Sequence, residues 1–422
     1  MTPEIKQRIE KIRHGNVPEG YKKTKAGILP ADWNVHMLGD CLSRVERPVE
    51  VKPNELYTQI GIRSHGKGLF YKEPVAGAAL GNKAVFWIEP DCFIVNIVFA
   101  WEQAIGKTTQ SEVGMIGSHR FPMYRPVNDR VDIDYLISYF LTKRGTDILE
   151  AASPGGAGRN KTLGQDRFLK SKIVLPPIEE QQKIATILTT QEKVIKLKEK
   201  RLAEKQRQKK YLMQQLLTGK KRLPGFNGTW EKEKLGKCAS MCSGGTPDTK
   251  NEKYYGNDYI WISIKDMTSV GKYICSSERG LTEAGLLNCS ARLFPKGTIL
   301  FAMYASIGEC SIAETECCSS QAILGIEPDS KLNNEFLYYL LSNSKGYFKS
   351  FGQASSQPNL NKGIVQSIVV QIPEIEEQTA IAEVLSTADR EIELLQQDIE
   401  QEKQKKKALM QLLLTGIVRV KT

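Results

Sequence analysis

Several signatures of an enzyme are missing from this chain. Only four histidines occur in 422 residues, His14, His36, His65 and His119. None has a serine or cysteine setting that would make a nucleophile–base triad. Nine cysteines are present, seven of them beyond residue 230. Cys238-x3-Cys242 and Cys317-Cys318 match no usual zinc ligand pair, so the cysteines read as small core residues and no metal is expected. Gly77-Ala-Ala-Leu-Gly-Asn-Lys-Ala fails as a phosphate loop on its spacing and its last residue. No Asn-Pro-Pro-Tyr is present, the tetrapeptide of adenine methyltransferases. In Pro247-Asp248-Thr249-Lys250 the lysine is too close to the aspartate for a nuclease site. No residue is assigned a catalytic role. No apolar run approaches the ~20 residues of a membrane span. The opening MTPEIKQRIEKIR is charged from residue 4, unlike a secretion signal. These features point to the cytoplasm, with reduced thiols and no membrane partner.

What is present is positive charge. The formal balance is +11 with a pI near 9.0, which favours an anionic partner, nucleic acid first. Apolar residues make up 41%, enough for real cores. The length fits two to three domains at roughly 150 residues each.

The chain also repeats itself. PPIEEQQKIATILTTQEKVIKLKEKRLAEKQRQKKYLMQQLLTGKKR at 176–222 recurs as PEIEEQTAIAEVLSTADREIELLQQDIEQEKQKKKALMQLLLTGIVR at 373–419, about 21 of 47 positions being identical. The offset of 197 also carries Trp33 onto Trp230, Gly39 onto Gly236 and Leu163 onto Leu360. Between those anchors it drifts to 201 and 202. So the frame is shared and the loops are not. Loops absorb insertions and carry binding, so one docking geometry with two different targets is expected.

The globular parts mix strands and helices. The runs 84–88, 93–100, 259–264 and 298–305 are rich in β-branched and aromatic residues between turn formers. Residues 134–145 and 335–346 read as helices stopped by Gly145 and Gly346. Strands and helices do not alternate regularly, so the class is α+β. Residues 2–14 read as a short accessory helix capped by Thr2 and ended by Gly15.

Each repeated block opens with Pro and two glutamates, which suit the positive end of a helix, and ends in Leu-Leu-Thr-Gly, a natural C-cap. Neither Pro nor Gly interrupts the ~40 residues between, so each helix spans ~60 Å. Leu188, Ile195, Leu202, Leu212 and Leu216 in the first copy fall on a 3-4 spacing whose other positions are Gln191, Lys198, Lys205 and Lys209. Leu385, Ile392, Leu395, Ile399, Leu409 and Leu413 do the same in the second. That spacing is a coiled-coil seam, polar in its middle in the first copy, and such helices need a partner. The obvious partner is the other copy, antiparallel, which gives an internal pseudo-two-fold repeat of two globular domains joined by two long helices.

With these residues in view, the chain resembles the specificity subunit of type I restriction–modification systems. The resemblance rests on the paired Pro-x-Ile-Glu-Glu-Gln (176–181 and 373–378) leading to Leu-Leu-Thr-Gly. It rests also on Gly-Gly-Thr-Pro at 244–247 before Tyr-Ile-Trp-Ile at 259–262, and on the segments holding Trp33 and Trp230. It covers nearly the whole length. It implies an accessory helix (1–20), two target-recognition domains (21–175 and 220–372), a central long helix (176–219) and a C-terminal one (373–422). Each domain would read one half of a split, asymmetric site in double-stranded DNA. The helices would set the spacing and dock two methyltransferase subunits, with restriction subunits recruited to the assembly. The chain itself would hold no cofactor; S-adenosylmethionine, ATP and Mg would belong to the partner subunits. The first unit departs from the pattern, because Cys41-Leu42-Ser43-Arg44 stands where Gly-Gly-Thr-Pro would.

Reading DNA needs basic residues for phosphates and planar polar side chains for base edges. Unit one offers Arg63, Ser64, His65 and Lys67 in one loop and Arg159, Asn160 and Lys161 in another. Unit two offers Gly244, Gly245 and Thr246, then Lys265, Tyr304 and Ser306, then Gln353, Ser355, Ser356, Gln357 and Asn359. Two heads on one face of B-DNA favour half-sites about one turn apart, ~34–36 Å, within reach of a ~60 Å arm. Two other readings compete. An autonomous nuclease or methyltransferase would act on DNA alone, and a coiled-coil scaffold for proteins only would show no salt-sensitive DNA binding.

Overall fold

The computed structural model of the chain describes residues 3–24, 27–81, 84–155, 161–348 and 360–420. The fold is mixed α and β and divides into two compact units. Unit one is Met1–Glu199 with Asp398–Thr422, and unit two is Lys200–Gln397. Each long helix therefore contributes to both. These helices are Ile178–Leu216 and Ile375–Leu413, 39 residues apiece, about 58 Å at 1.5 Å per residue.

Unit one is built on a four-stranded antiparallel sheet in the order Ile105–Lys107, Phe93–Val95, Met123–Pro126 and Leu42–Val45. One face of this sheet buries Phe93 and Tyr124 with Phe140 and Phe168 from two short helices. The Phe93 and Phe168 rings stack at 6.1 Å. Leu188, Leu413 and Leu414 join the same core, so the long helices pack on it.

Unit two has a five-stranded sheet in the order Ala239–Ser243, Ile323–Pro328, Ile299–Ala302, Cys310–Ala313 and Tyr273–Ile274, and a smaller one that includes Tyr259–Ile262. Phe301, Phe336 and Leu385 share its main core.

The repeat is visible strand by strand. In unit one Asn34–Met37 pairs with Lys172–Leu175. In unit two Glu231–Lys234 pairs with Val369–Ile372, each partner 197 residues further on. Both pairs stand beside the starts of the long helices.

Several sequence expectations need correction. Residues 93–100 are a strand only at Phe93–Val95. The Asn96 side chain then accepts from the Val98 amide at 3.1 Å and turns the chain. Gly145 does not stop a helix. The first helix ends at Phe140, and a second, Lys143–Ala151, starts with the Thr142 hydroxyl accepting from the Gly145 amide. A side chain at Gly145 would meet the Phe140 backbone at 2.3 Å, so the glycine lets two consecutive helices pack closely. Gly346 likewise lies in a helical turn, 345–348, beyond Asn334–Asn343. The accessory helix spans Pro3–Arg13 with no buried residue; Thr2, its expected cap, lies outside the described residues. Six of the nine cysteines are buried and none is in a disulfide. Burial pushes Cys317 and Cys318 up to about 12.

Candidate nucleic-acid interface

The frame that carries the loops is the same polar clamp, built twice. In unit one Glu180 is fully buried. Its carboxylate accepts from Trp33 Nε1 at 3.1 Å and from Arg419 Nε and Nη2 at 2.7 and 2.8 Å. Next to it, Gln181 donates to the Arg130 and Pro176 carbonyls and accepts from the Asp132 amide at 3.0 Å. In unit two Glu377 accepts from Trp230 Nε1 at 3.2 Å and from Arg222 Nε and Nη2 at 2.6 Å each. Gln378 donates to the Lys331 and Pro373 carbonyls and accepts from the Asn333 amide at 2.8 Å. Hydrogen bonds to Glu180 raise Arg419 above the usual arginine range despite partial burial. So the paired Glu-Glu-Gln does more than suit the helix dipole. Its second glutamate and its glutamine fasten the recognition fold to the helix.

Within each unit the helix segments run antiparallel. In unit one Gln191 and Lys198 meet Glu402, Glu192 meets Lys406 and Glu199 meets Lys403. In unit two Lys205 meets Glu391 and Lys209 meets Asp389. Glu192–Lys406 and Asp389–Lys209 are the same pair in the two repeats, 197 residues apart. Of the expected seam, Leu188, Ile195, Leu216, Leu385, Ile399 and Leu413 are buried, and Leu202, Leu212, Ile392, Leu395 and Leu409 are half-buried. The polar middle of the seam is filled by these ion pairs. Past each helix Gly219 and Gly416 take φ of 66° and 71°, as a left-handed C-cap requires.

In unit one, Arg63 to Gly68 form the tip of a hairpin between Ile60–Ile62 and Leu69–Tyr71. Arg63 lies 5.0 Å over the Phe70 ring. The Ser64 hydroxyl donates to Glu102 at 2.9 Å. The His65 and Gly66 amides donate to the Glu102 and Gln103 carbonyls. Lys161 lies 5.3 Å over the Trp101 ring. The two loops chosen from sequence thus border one turn, residues 100–103, whose Trp101 the sequence reading missed. Arg159 and Asn160 lie outside the described residues. His65 and Lys67 also border a cleft with Leu188, Glu192, Lys406 and Met410, beside the helices.

In unit two, Gly244 and Gly245 are buried. A side chain on Gly244 would meet the Ser319 carbonyl at 2.2 Å, and one on Gly245 would meet the Ala291 amide at 2.2 Å. The close approach those glycines allow is to the chain's own backbone. The Gly245 carbonyl accepts from Trp261 Nε1 at 2.9 Å, and the Thr246 hydroxyl accepts from the Gln321 amide at 3.4 Å. Lys265 is exposed and paired with Glu278. It follows Ser263, whose hydroxyl and buried Asp266 make a capping box that fixes the helix Ile264–Val270. Arg279 stacks 4.1 Å over the Tyr255 ring, and Tyr255 donates to the Pro247 carbonyl at 3.2 Å. Tyr304 and Ser306 lie in a turn that begins at Met303, whose amide donates to the Ala322 carbonyl. Thr246 and Met303, the residue before Tyr304, therefore both bond the 320–322 loop, and Lys265 pairs with Glu278, the chain neighbour of Arg279. Gln353, Ser355, Ser356, Gln357 and Asn359 lie outside the described residues. Tyr255, Arg279 and Gln321 were missed; an Arg-Gly pair after a Ser-Ser-Glu run gives no periodic signal. Among the described residues no cluster of three or more His, Cys, Asp or Glu could hold a metal ion, and no helix is long and apolar enough to cross a membrane.

Comparisons with known proteins agree with this architecture. The chain is 36% identical over 167 residues to the type I restriction enzyme MjaIX specificity subunit of Methanocaldococcus jannaschii, a match spanning 39% of each protein. It is 26% identical over 434 residues to the putative MjaX specificity subunit of the same organism, covering 96% of this chain and 98% of that one. Among solved structures, the HsdS subunit from Thermoanaerobacter tengcongensis matches with a TM-score of 0.51 at 18% identity, covering 92% of this chain and 98% of that one. The type I restriction–modification S subunit from M. genitalium matches at 0.58 and 12%, covering 90% and 96%. These two likenesses concern the fold. The model of the type I restriction modification DNA specificity domain matches twice, at residues 89–206 and 227–404, once over each repeat, and the chain belongs to that family.

Proposed function

We propose that this chain is the DNA-specificity subunit of a type I restriction–modification complex, with each unit reading one half of a bipartite, asymmetric site. The observation that carries this reading is the contrast between a clamp repeated atom for atom and connecting segments that differ. Trp33–Glu180–Arg419 gives unit one, and Trp230–Glu377–Arg222 gives unit two, the same local geometry at the start of its helix. The Gly-Gly-Thr-Pro platform at 244–247 has no counterpart in unit one, and the segments between the shared anchors differ in length and sequence between the repeats. A frame that is constant beneath loops that vary suits a protein that places two readers on two unlike sequences.

The two long helices form an antiparallel coiled coil in this reading. Their exposed faces dock two methyltransferase subunits, and restriction subunits join the assembly. A cleft of about 730 Å³ in unit one supports docking there, since it is lined by Arg144, Ile195, Lys403, Lys406 and Met410 and mixes apolar and charged surface as protein interfaces do. The hairpin residues His65 and Lys67 border the neighbouring cleft, which favours a second role for that hairpin in docking. The chain reads and its partners react, so S-adenosylmethionine, ATP and Mg are assigned to them. Sequencing methylated adenines in a host with and without this gene tests the function. A split motif that disappears with the gene supports it, and an unchanged methylation pattern refutes it.

A further inference from the structure

We propose that Gln321 is a base-reading residue of unit two, and that it recognises an adenine; this rests on the specificity-subunit reading.

Its backbone is held on every side. The Gln321 amide donates to Thr246 Oγ1 at 3.4 Å. Before it, the Ser320 amide donates to the Ile262 carbonyl at 2.9 Å; after it, the Ala322 carbonyl accepts from Met303 at 2.9 Å, and Ile323 closes a turn onto Ser320 at 3.0 Å. Of the two glycines of Gly-Gly-Thr-Pro, Gly244 lies pressed against Ser319 and Ser320, and the Gly245 amide donates to the Ser319 carbonyl at 2.9 Å. The motif is therefore a platform beneath Gln321.

The side chain differs from its surroundings. It is exposed, and its amide group has no hydrogen-bond partner among the described residues. A glutamine on a fixed backbone presents a donor and an acceptor side by side, the pattern that pairs with N7 and N6 of adenine in the major groove. Preorganising the backbone limits the entropy lost on contact.

The other unit supplies a comparison. There the Ile97 amide donates to the Arg120 carbonyl at 3.0 Å and Val127 to Cys41 at 2.9 Å. In unit two Met303 donates to Ala322 at 2.9 Å and Asp329 to Cys238 at 2.8 Å. Arg120 to Ala322 and Val127 to Asp329 are both steps of 202, so Gln321 occupies the place of His119. His119 is also exposed, with its amide held by the Ala84 carbonyl at 3.1 Å. One position on one scaffold thus presents a different planar polar group in each unit, as unlike half-sites require.

The test is selection of bound duplexes from a randomised DNA library by the chain assembled with its methyltransferase subunits. Gln321→Ala should lower preference for adenine at one position of one half-site by about tenfold, with the other half unchanged. Gln321→Arg should move preference at that position toward guanine. Gln321→Glu keeps the size and the backbone contacts and guards against misfolding; it should disfavour adenine at the same position. A motif unchanged in all three variants, or one degraded equally in both halves, overturns the assignment. If the wild-type complex selects no split motif, the specificity-subunit reading itself fails.

Discussion

Arg419 lies beyond the end of the second long helix, yet its guanidinium closes on Glu180, in the first turn of the first. Its other edge holds Asp32 at 2.7 and 3.0 Å. Removing one partner of a buried ion pair leaves the other charge uncompensated, at a cost of about 3–5 kcal/mol. Arg419→Met, which leaves the fully buried Glu180 carboxylate without its counter-charge, should therefore lower the urea midpoint of unit one markedly. Glu180→Ala with Arg419→Met should cost less than the sum of the single changes. Strict additivity in that double-mutant cycle would show that the pair does not act as a clamp.

The seam predicts a second outcome. Ile399 is buried in unit one and Leu202 half-buried in unit two. Lysine at both positions should abolish DNA binding by the assembled complex and reduce helical circular dichroism, while near-ultraviolet signals of the sheet cores persist. Full activity in Leu202→Lys/Ile399→Lys would contradict the coiled coil.

Acid should loosen the helix pairs. Hydrogen bonds from Lys198 and Gln191 hold Glu402 down to about 2, from an ordinary glutamate value of 4.5. A hydrogen bond from Lys205 lowers Glu391. Burial pushes Glu192 up, but Lys406 and Lys196 together outweigh it and the net shift is downward. A carboxyl depressed in the folded state contributes its stabilisation in full above its unfolded value and loses it as pH falls through the folded value. Melting temperature should thus decline between pH 4.5 and about 2. Glu402→Gln should flatten part of that decline; an identical pH profile in the variant would remove Glu402 from the account.

Salt reports on phosphate contacts. Each lysine that neutralises a phosphate contributes about one to the slope of log affinity against log salt. Lys265→Ala should reduce the slope by about one. Lys67→Ala should do so only if the unit-one hairpin faces DNA, and an unchanged slope would assign that hairpin to protein docking.

The long helices were legible because their ends repeat. Pro-x-Ile-Glu-Glu-Gln and Leu-Leu-Thr-Gly mark the same two points 197 residues apart, and helices of equal length lie between them. Arg222 and Arg419 were just as visible as a repeated residue, but their pairing with Glu377 and Glu180 was not. Nothing local relates an arginine to a glutamate 155 or 239 residues away. The short strands resisted for another reason. Hydrophobic runs such as 93–100 contain both a strand and the turn that ends it, and apolar content alone does not separate the two. Gln321 shows no pattern at all in sequence; only the hydrogen bonds around it single it out.

Unit one is completed by Asp398–Thr422, which a ribosome makes after all of unit two. Through most of synthesis Glu180 has no Arg419 and the core around Leu188 lacks Leu413 and Leu414. Unit two, Lys200–Gln397, is by contrast one unbroken stretch. The half begun first is therefore the half finished last. A stop codon shortly before Arg419 would injure unit one and spare unit two.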